Sequence, residues 1–280
     1  MSLATADPRT VARKGAPCLI GLPYDASSSF LRGPAQAPPV IRAALRSDAG
    51  NWWTEDLQDL AATSGLLDAG DLDLPPNDEA RVLIASGIGR LIGDARRPIA
   101  LGGDHSVTYP ILRAVHGEHP RATILHIDAH PDLYESFAGG RFSHACPFAR
   151  ILEEGLAARL VQVGIRTMNA HQQAQADKYG VEVIDMRAWA RGARPVLDGE
   201  VYLSVDLDGL DPAFAPGVSH REPGGLSTRD VIGLIQAIPG RLVGADVVEY
   251  NPLQDSSDLT ARVAAKLVKE IAGRMLRDPE

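Results

Sequence analysis

Apolar positions in this chain fall into two kinds of segment. Short runs that are apolar at nearly every position alternate with longer stretches in which apolar residues recur at three- and four-residue spacing. The short runs at 18–22, 99–101, 123–127, 160–163, 181–184, 201–205 and 242–247 predict strands covered on both faces. The longer stretches at 39–46, 78–92, 107–116, 147–154, 170–178, 228–237 and 259–277 predict helices. Pro38-Pro39 and Asn77-Asp78 are natural helix starts, and Ser227 with Asp230 three residues on fits an N-cap. Strands feeding crossover helices imply a single three-layer α/β/α domain with a mostly parallel central sheet. No repeat, low-complexity tract or Gly/Ser-rich linker marks an interior boundary, so 15–280 reads as one domain behind a loose, weakly apolar arm at 1–14.

Charge narrows the partners. The 28 Lys and Arg stand against 36 Asp and Glu, a formal charge of −8, which disfavours nucleic acid and anionic membrane and favours a cationic small molecule. Cys18 and Cys146 are the only cysteines, without CxxC spacing, so reduced thiols are expected and neither is a strong nucleophile candidate. No run of 18 apolar residues is present and the first 20 residues lack an apolar h-region, which leads to the expectation of a cytoplasmic protein.

Three segments with chemistry follow strand candidates directly: Gly102-Gly103-Asp104-His105-Ser106, Asp128-Ala129-His130-Pro131-Asp132 and Ser204-Val205-Asp206-Leu207-Asp208-Gly209-Leu210-Asp211-Pro212. In a parallel sheet, strand C-termini share one edge, so these distant segments converge in one crevice. Residues two apart on an extended strand end share a face, which puts Asp128 with His130 and Asp206 with Asp208. Four carboxylates packed together would cost several kcal/mol per buried charge or drive their pKa values up. Asp128, Asp132, Asp206 and Asp208 would instead balance two dications, with a neutral nitrogen each from His105 and His130. This oxygen-rich, thiolate-free set suits Mn²⁺, with Zn²⁺, Co²⁺ or Fe²⁺ less suited. Two such ions make a nucleophile from water near neutral pH, so metal-assisted hydrolysis is expected. Singly, each motif is also what a helix cap or turn looks like; Asp104 fits a cap or a support for a ligand His, and Asp211 before Pro212 fits a turn. The Pro- and Gly-rich stretch after Asp208 is a long loop of the kind associated with function.

These motifs, with Ser28-Ser29-Phe30-Leu31, Asp211-Pro212-Ala213-Phe214-Ala215-Pro216-Gly217-Val218-Ser219-His220 and Gly244-Ala245-Asp246-Val247-Val248-Glu249, resemble the ureohydrolase family of arginases and agmatinases, the plant-type arginases and related agmatinases in particular. The resemblance runs from about Gly21 to Leu276. It implies two Mn²⁺ per chain: His105, Asp128, Asp132 and Asp206 would hold one, and His130, Asp128, Asp206 and Asp208 the other. It implies that a metal-bridging hydroxide attacks the carbon of a linear guanidino substrate, arginine or agmatine, to give urea and an amine. It gives catalytic parts to Asp132 as proton carrier, to His144 as a mobile acid–base group and to Glu249 as the acid that grips the guanidinium. A carboxylate suits that planar cation, and an imidazole titrates near neutral pH. It also implies a homo-oligomer, a trimer or hexamer. Ala145-Cys146 follows His144 here, where many members of the wider family have His-Gly after the matching Ser or Asp, and Glu135 and Arg141 in the loop Tyr134-Phe142 argue in opposite directions about the substrate's far end. His116, His119, His126, His171 and His220 are expected as surface or satisfied core residues, with a place at the pocket entrance the lesser alternative for His220, which lies in the long loop. Formimidoylglutamate hydrolysis, a one-zinc deacetylase and a non-catalytic metal-binding regulator are the competing readings.

Overall fold

The computed structural model describes residues 14–61 and 65–278, so the arm expected at 1–14 lies, but for Lys14, outside the described residues. The strands are β1 (Pro17–Gly21), β2 (Leu67–Asp71), β3 (Arg97–Leu101), β4 (Thr123–Ile127), β5 (Arg159–Val163), β6 (Glu182–Ile184), β7 (Glu200–Asp206) and β8 (Arg241–Val248). They form one sheet in the order β2-β1-β3-β8-β7-β4-β5-β6. Every pairing is parallel, so the expected mostly parallel sheet is parallel throughout. Helices α1 (Ala37–Leu45), α2 (Glu79–Gly93), α3 (Thr108–Glu118), α4 (Pro147–Glu153), α5 (Ala170–Tyr179), α6 (Met186–Ala190) and α7 (Thr228–Gln236) connect them, and α8 (Leu259–Leu276) follows β8.

Alternation along the strands deals the core into two layers. Leu19, Ile99, Leu125 and Leu203 pack with Ile41 of α1, Val231 of α7 and Leu267 of α8. Their strand neighbours Ile20, Ala100, Ile124 and Tyr202 pack with Ile84 of α2, Ile111 of α3 and Phe148 of α4. The Ser227 expectation holds in full: its side chain and that of Asp230 cap each other's backbone N–H at the start of α7.

Two elements escaped the apolar pattern for physical reasons. In β2 only Leu67 is buried, and this edge strand is held from outside by Arg42 of α1, which pairs with Asp68 at 2.9 Å and also with Asp71. Helix α6 is a short turn started by Asp185, which accepts the Ala188 N–H at 2.7 Å. Strand β3 begins two residues before its apolar run because Arg97, though charged, is buried against Asp278 at 2.5 Å. Among the described residues no helix is long and apolar enough to cross a membrane.

Chain order places the chemistry. The four central strands β3, β8, β7 and β4 are neighbours, and their C-terminal ends carry His105, Glu249, Asp206 with Asp208, and Asp128 to Asp132. Close backbone approach is part of this: a Cβ on Gly103 would lie 1.7 Å from the Tyr24 carbonyl oxygen, and one on Gly209 would lie 2.9 Å from the Asp128 nitrogen.

Candidate active site

His105 is fully buried, and its Nδ1 faces three carboxylates: Asp128 Oδ2 at 3.2 Å, Asp132 Oδ2 at 3.1 Å and Asp206 Oδ2 at 3.1 Å. The other ring nitrogen, Nε2, is 3.0 Å from Ser204 Oγ, which in turn donates to Asp246 Oδ1 at 2.7 Å. The serine's own hydrogen is thus spent on Asp246, so Nε2–H donates, and in the neutral ring Nδ1 presents its lone pair to the carboxylates. Nδ1 has no hydrogen-bond partner in spite of the three oxygens around it. A lone pair ringed by carboxylates is the arrangement a cation requires.

A second set of donors shares Asp128. His130 Nδ1 lies 3.4 Å from Asp128 Oδ1 and 3.1 Å from Asp208 Oδ2. Backbone N–H groups aim these carboxylates: His130 N–H donates to Asp128 Oδ1 at 2.6 Å, Asp208 N–H to Asp206 Oδ1 at 2.8 Å, and Ala129 N–H to Asp208 Oδ1 at 3.2 Å. Asp128 therefore offers one oxygen toward each imidazole, as a bridging carboxylate would. All six expected ligands are brought together. Asp132 reaches its place in the left-handed region at φ 51, a strained backbone for a non-glycine residue.

The electrostatics show how much charge this cluster lacks. Burial pushes Asp206 well above the usual carboxylate range, reinforced by Asp208 and Asp128. Burial likewise pushes Asp208 up to about 6, with His130 opposing and Asp128 adding to the rise. His105 is raised well above the ordinary imidazole value, against the effect of its burial, by Asp128, Asp132 and Asp206. Protons thus supply the positive charge that bound cations would otherwise bring.

Beside the cluster, Glu249 also has a left-handed backbone, at φ 61, with its N–H donating to the Gly103 carbonyl at 2.9 Å. Its Oε1 accepts the His105 backbone N–H and meets His144 Nδ1, both at 2.9 Å, and among the described residues no hydrogen bond reaches Oε2. Burial opposes the Glu249 charge, yet His144 holds this carboxyl below its ordinary value. His144 is pushed up to about 9 by Glu249 in spite of its own burial. The loop after β1 grips His144 at both ends: its N–H donates to the Ser27 carbonyl at 3.2 Å, and its Nε2 is 2.8 Å from Ser29 Oγ.

Glu249, His144, Asp132, His130, Asp206 and Asp208 open onto one cavity of about 210 Å³, closed by Ser29, Tyr134, Phe137, Ala145, Thr167, Gln172 and His220. The volume suits a ligand smaller than a drug-sized molecule. His220, read first as a surface or core residue, instead lines this pocket, its ring 5.3 Å from that of His144. Glu135 and Arg141 are not among the lining residues; they pair with Lys178 at 3.8 Å and Glu153 at 2.8 Å. A larger cavity of about 550 Å³ beside Trp189 and Arg194 holds none of these groups.

Supporting residues follow the expectation in part. Asp104 caps the turn at His105 by accepting the Ser106 N–H at 3.1 Å, and it anchors the Ser27 N–H at 3.0 Å. Asp211 is a turn former, accepting N–H groups of Ala213 at 2.9 Å and Gly224 at 2.6 Å. Two residues were missed. Arg166 donates to the carbonyls of Asp208 at 2.7 Å and Glu222 at 2.6 Å, clamping the turn that carries Asp208 to the long loop. His126 is fully buried, as a core residue should be, but its Nε2 lies 2.7 Å from Asp128 Oδ2. Its position two residues before Asp128, on the same strand face, was the available signal.

A parallel α/β sheet whose central strand ends assemble four carboxylates and two imidazoles beside a free carboxylate oxygen defines a metal-dependent hydrolase. The model of the arginase family matches residues 16–273, and this chain belongs to that family, whose members hydrolyse carbon–nitrogen bonds. It is 46% identical over 280 residues, 94% of this chain and 82% of the relative, to "Arginase 1, mitochondrial" of Arabidopsis thaliana. The solved arginase from Medicago truncatula is 45% identical, with a TM-score of 0.89 over 94% of this chain and 88% of that one. The solved formimidoylglutamase from Bacillus subtilis subsp. subtilis is more distant, 28% identical with a TM-score of 0.86 over 99% of this chain and 91% of that one.

One expectation is overturned. The plant relatives are named mitochondrial, and a second Arabidopsis thaliana arginase chloroplastic/mitochondrial, which points to an organelle rather than the cytoplasm. The cytoplasmic expectation rested on the missing apolar h-region, and organelle transit segments are amphipathic and Arg-rich, so that criterion does not bear on them.

Proposed function

We propose that this chain, over 15–280, is an arginase that uses two Mn²⁺ to hydrolyse the guanidino group of arginine, releasing urea and an amine. The bare His105 Nδ1 facing three carboxylates at 3.1–3.2 Å carries this reading. His105, Asp128, Asp132 and Asp206 would hold one ion, and His130, Asp128, Asp206 and Asp208 the other. When bound, such a pair of dications lowers the pKa of water enough to supply a nucleophile near pH 7.

The protein's own groups do the rest. Glu249, with Oε1 committed and Oε2 unbonded, receives the guanidinium and sets its plane over the ligand cluster. Asp132 carries the proton from nucleophile to leaving amine. His144, held by Ser29 and Glu249, moves a proton between that centre and the pocket. Cavity closure by Tyr134, Phe137 and His220 limits water around the reacting carbon. Urea formation from arginine by Mn²⁺-loaded protein is the test; loaded protein inert toward arginine and agmatine would overturn it.

One observation favours agmatine as a second substrate. Among the described residues no Lys or Arg lines the cavity, so no guanidinium or ammonium there meets a substrate carboxylate. The same lining weighs against the dicarboxylate formimidoylglutamate. We also propose a homo-oligomer, a trimer or hexamer, which light scattering on the eluting protein would show.

A further inference from the structure

We infer that His126 is a positioning residue for the metal centre, a hydrogen-bond donor that fixes the bridging carboxylate of Asp128 and is not itself a ligand. The inference rests on the reading of Asp128 as a ligand. His105, His126 and Asp128 bring ligand-type atoms within 4.8 Å of one another, so the alternative, that His126 binds metal, is a real one.

The hydrogen-bond pattern decides between them. Gln162 directs its side-chain amide nitrogen at the Pro131 carbonyl oxygen, 2.7 Å away. Two acceptor oxygens would repel at that distance, so the Gln162 orientation is fixed, and Nε2 is the atom that points there. The same Nε2 lies 3.0 Å from His126 Nδ1. An amide nitrogen only donates, so His126 Nδ1 accepts, and the neutral ring must carry its hydrogen on Nε2. That hydrogen points to Asp128 Oδ2 at 2.7 Å. A ring nitrogen bearing hydrogen has no lone pair for a cation. Gln162 Oε1 is buried without a partner, so the relay, not the satisfaction of Gln162 itself, sets this amide.

Two further contacts hold the ring in place. Phe148 of α4 stacks on His126 with centroids 3.9 Å apart, and the His105 ring meets its edge at 5.0 Å. Asp128 Oδ2 is thereby held between His126 Nε2–H and the direction of His105 Nδ1, while Oδ1 is held by the His130 N–H. Fixing both oxygens of a carboxylate that must serve two ions removes its rotational freedom before metal arrives.

The test is Mn²⁺ titration of metal-stripped full-length chains, followed by calorimetry and elemental analysis, with thermal unfolding of the metal-free protein alongside. His126→Phe keeps a ring against Phe148 but removes the donor. It is expected to bind the same number of ions about 10–100-fold more weakly, the usual effect of losing an outer-shell partner. His126→Gln, which keeps an N–H for Asp128 and an acceptor for Gln162, is expected to regain most of that affinity. Wild-type affinity in His126→Phe overturns the inference. So does the loss of a whole equivalent at saturating metal in both variants, since that would make His126 a ligand. Asp128→Ala is the control on the underlying reading: two ions retained in that variant would overturn the ligand assignment and this inference with it.

Discussion

Glu249 and His144 divide one carboxylate between them, and this division makes the clearest residue-level prediction. Glu249→Gln keeps the shape and the two Oε1 contacts but removes the charge that receives a guanidinium. Its kcat/KM is expected to fall by about 100-fold or more, with the metal content unchanged, because Glu249 is not among the proposed ligands. A drop of only a few-fold, or loss of metal, would contradict the role. The thiols give a second prediction. Burial pushes both Cys18 and Cys146 up to about 12, so neither forms thiolate near pH 8. Native protein should leave a thiol reagent uncoloured until denaturant is added; rapid labelling of native protein would count against it. At this scale the six proposed ligands were legible because Asp, His and strand ends follow spacing rules. His126 was not, since a buried histidine and a carboxylate-orienting one look alike until Gln162 and Pro131, distant in sequence or past a turn, reveal the tautomer.

Among the elements, the loop after β1 and the turn after β3 must touch backbone to backbone. Gly103 makes this possible, because any side chain there meets the Tyr24 carbonyl at 1.7 Å while the Gly103 carbonyl holds the Glu249 N–H. Gly103→Ala is expected to cost at least the upper end of the about 1–3 kcal/mol typical of overpacking and to abolish activity, read by denaturant unfolding and urea assay. Wild-type stability in that variant would mean the loop moves freely. A different tie, between Glu55 and Arg229 of α7 at 2.6 Å, makes a pH prediction. Hydrogen bonding to Arg229 lowers Glu55 from 4.5 to about 2. A depressed folded-state pKa adds stability above the unfolded value, and this is lost as pH falls from about 4.5 toward 2. Arg229→Gln should therefore lower Tm at pH 6 by a small amount, as exposed pairs do, with the gap shrinking toward pH 3. A gap that widens in acid would reverse the sign. Most strands were legible because burial on both faces leaves an unbroken apolar run. The acidic edge strand β2 and the Arg97 start of β3 were not, since their fit depends on Arg42 and Asp278 far along the chain.

In the molecule as a whole, which carries a formal charge of −8, four buried carboxylates meet in one crevice at the C-terminal edge of the sheet. Cations bound there relieve that repulsion only in the folded state, so chelation should lower Tm and Mn²⁺ should restore it. An unchanged Tm after complete metal removal would show that the cluster is stable on protons alone. Parallel topology was legible in the alternation of strand and helix segments, whereas cellular location was not, because addressing is read by receptors and not by the fold. The most direct measurement is stepwise addition of Mn²⁺ to metal-stripped protein while urea release from arginine is followed. Activity should reach its plateau at two ions per chain. A plateau at one ion, or no urea at any loading, would contradict the account.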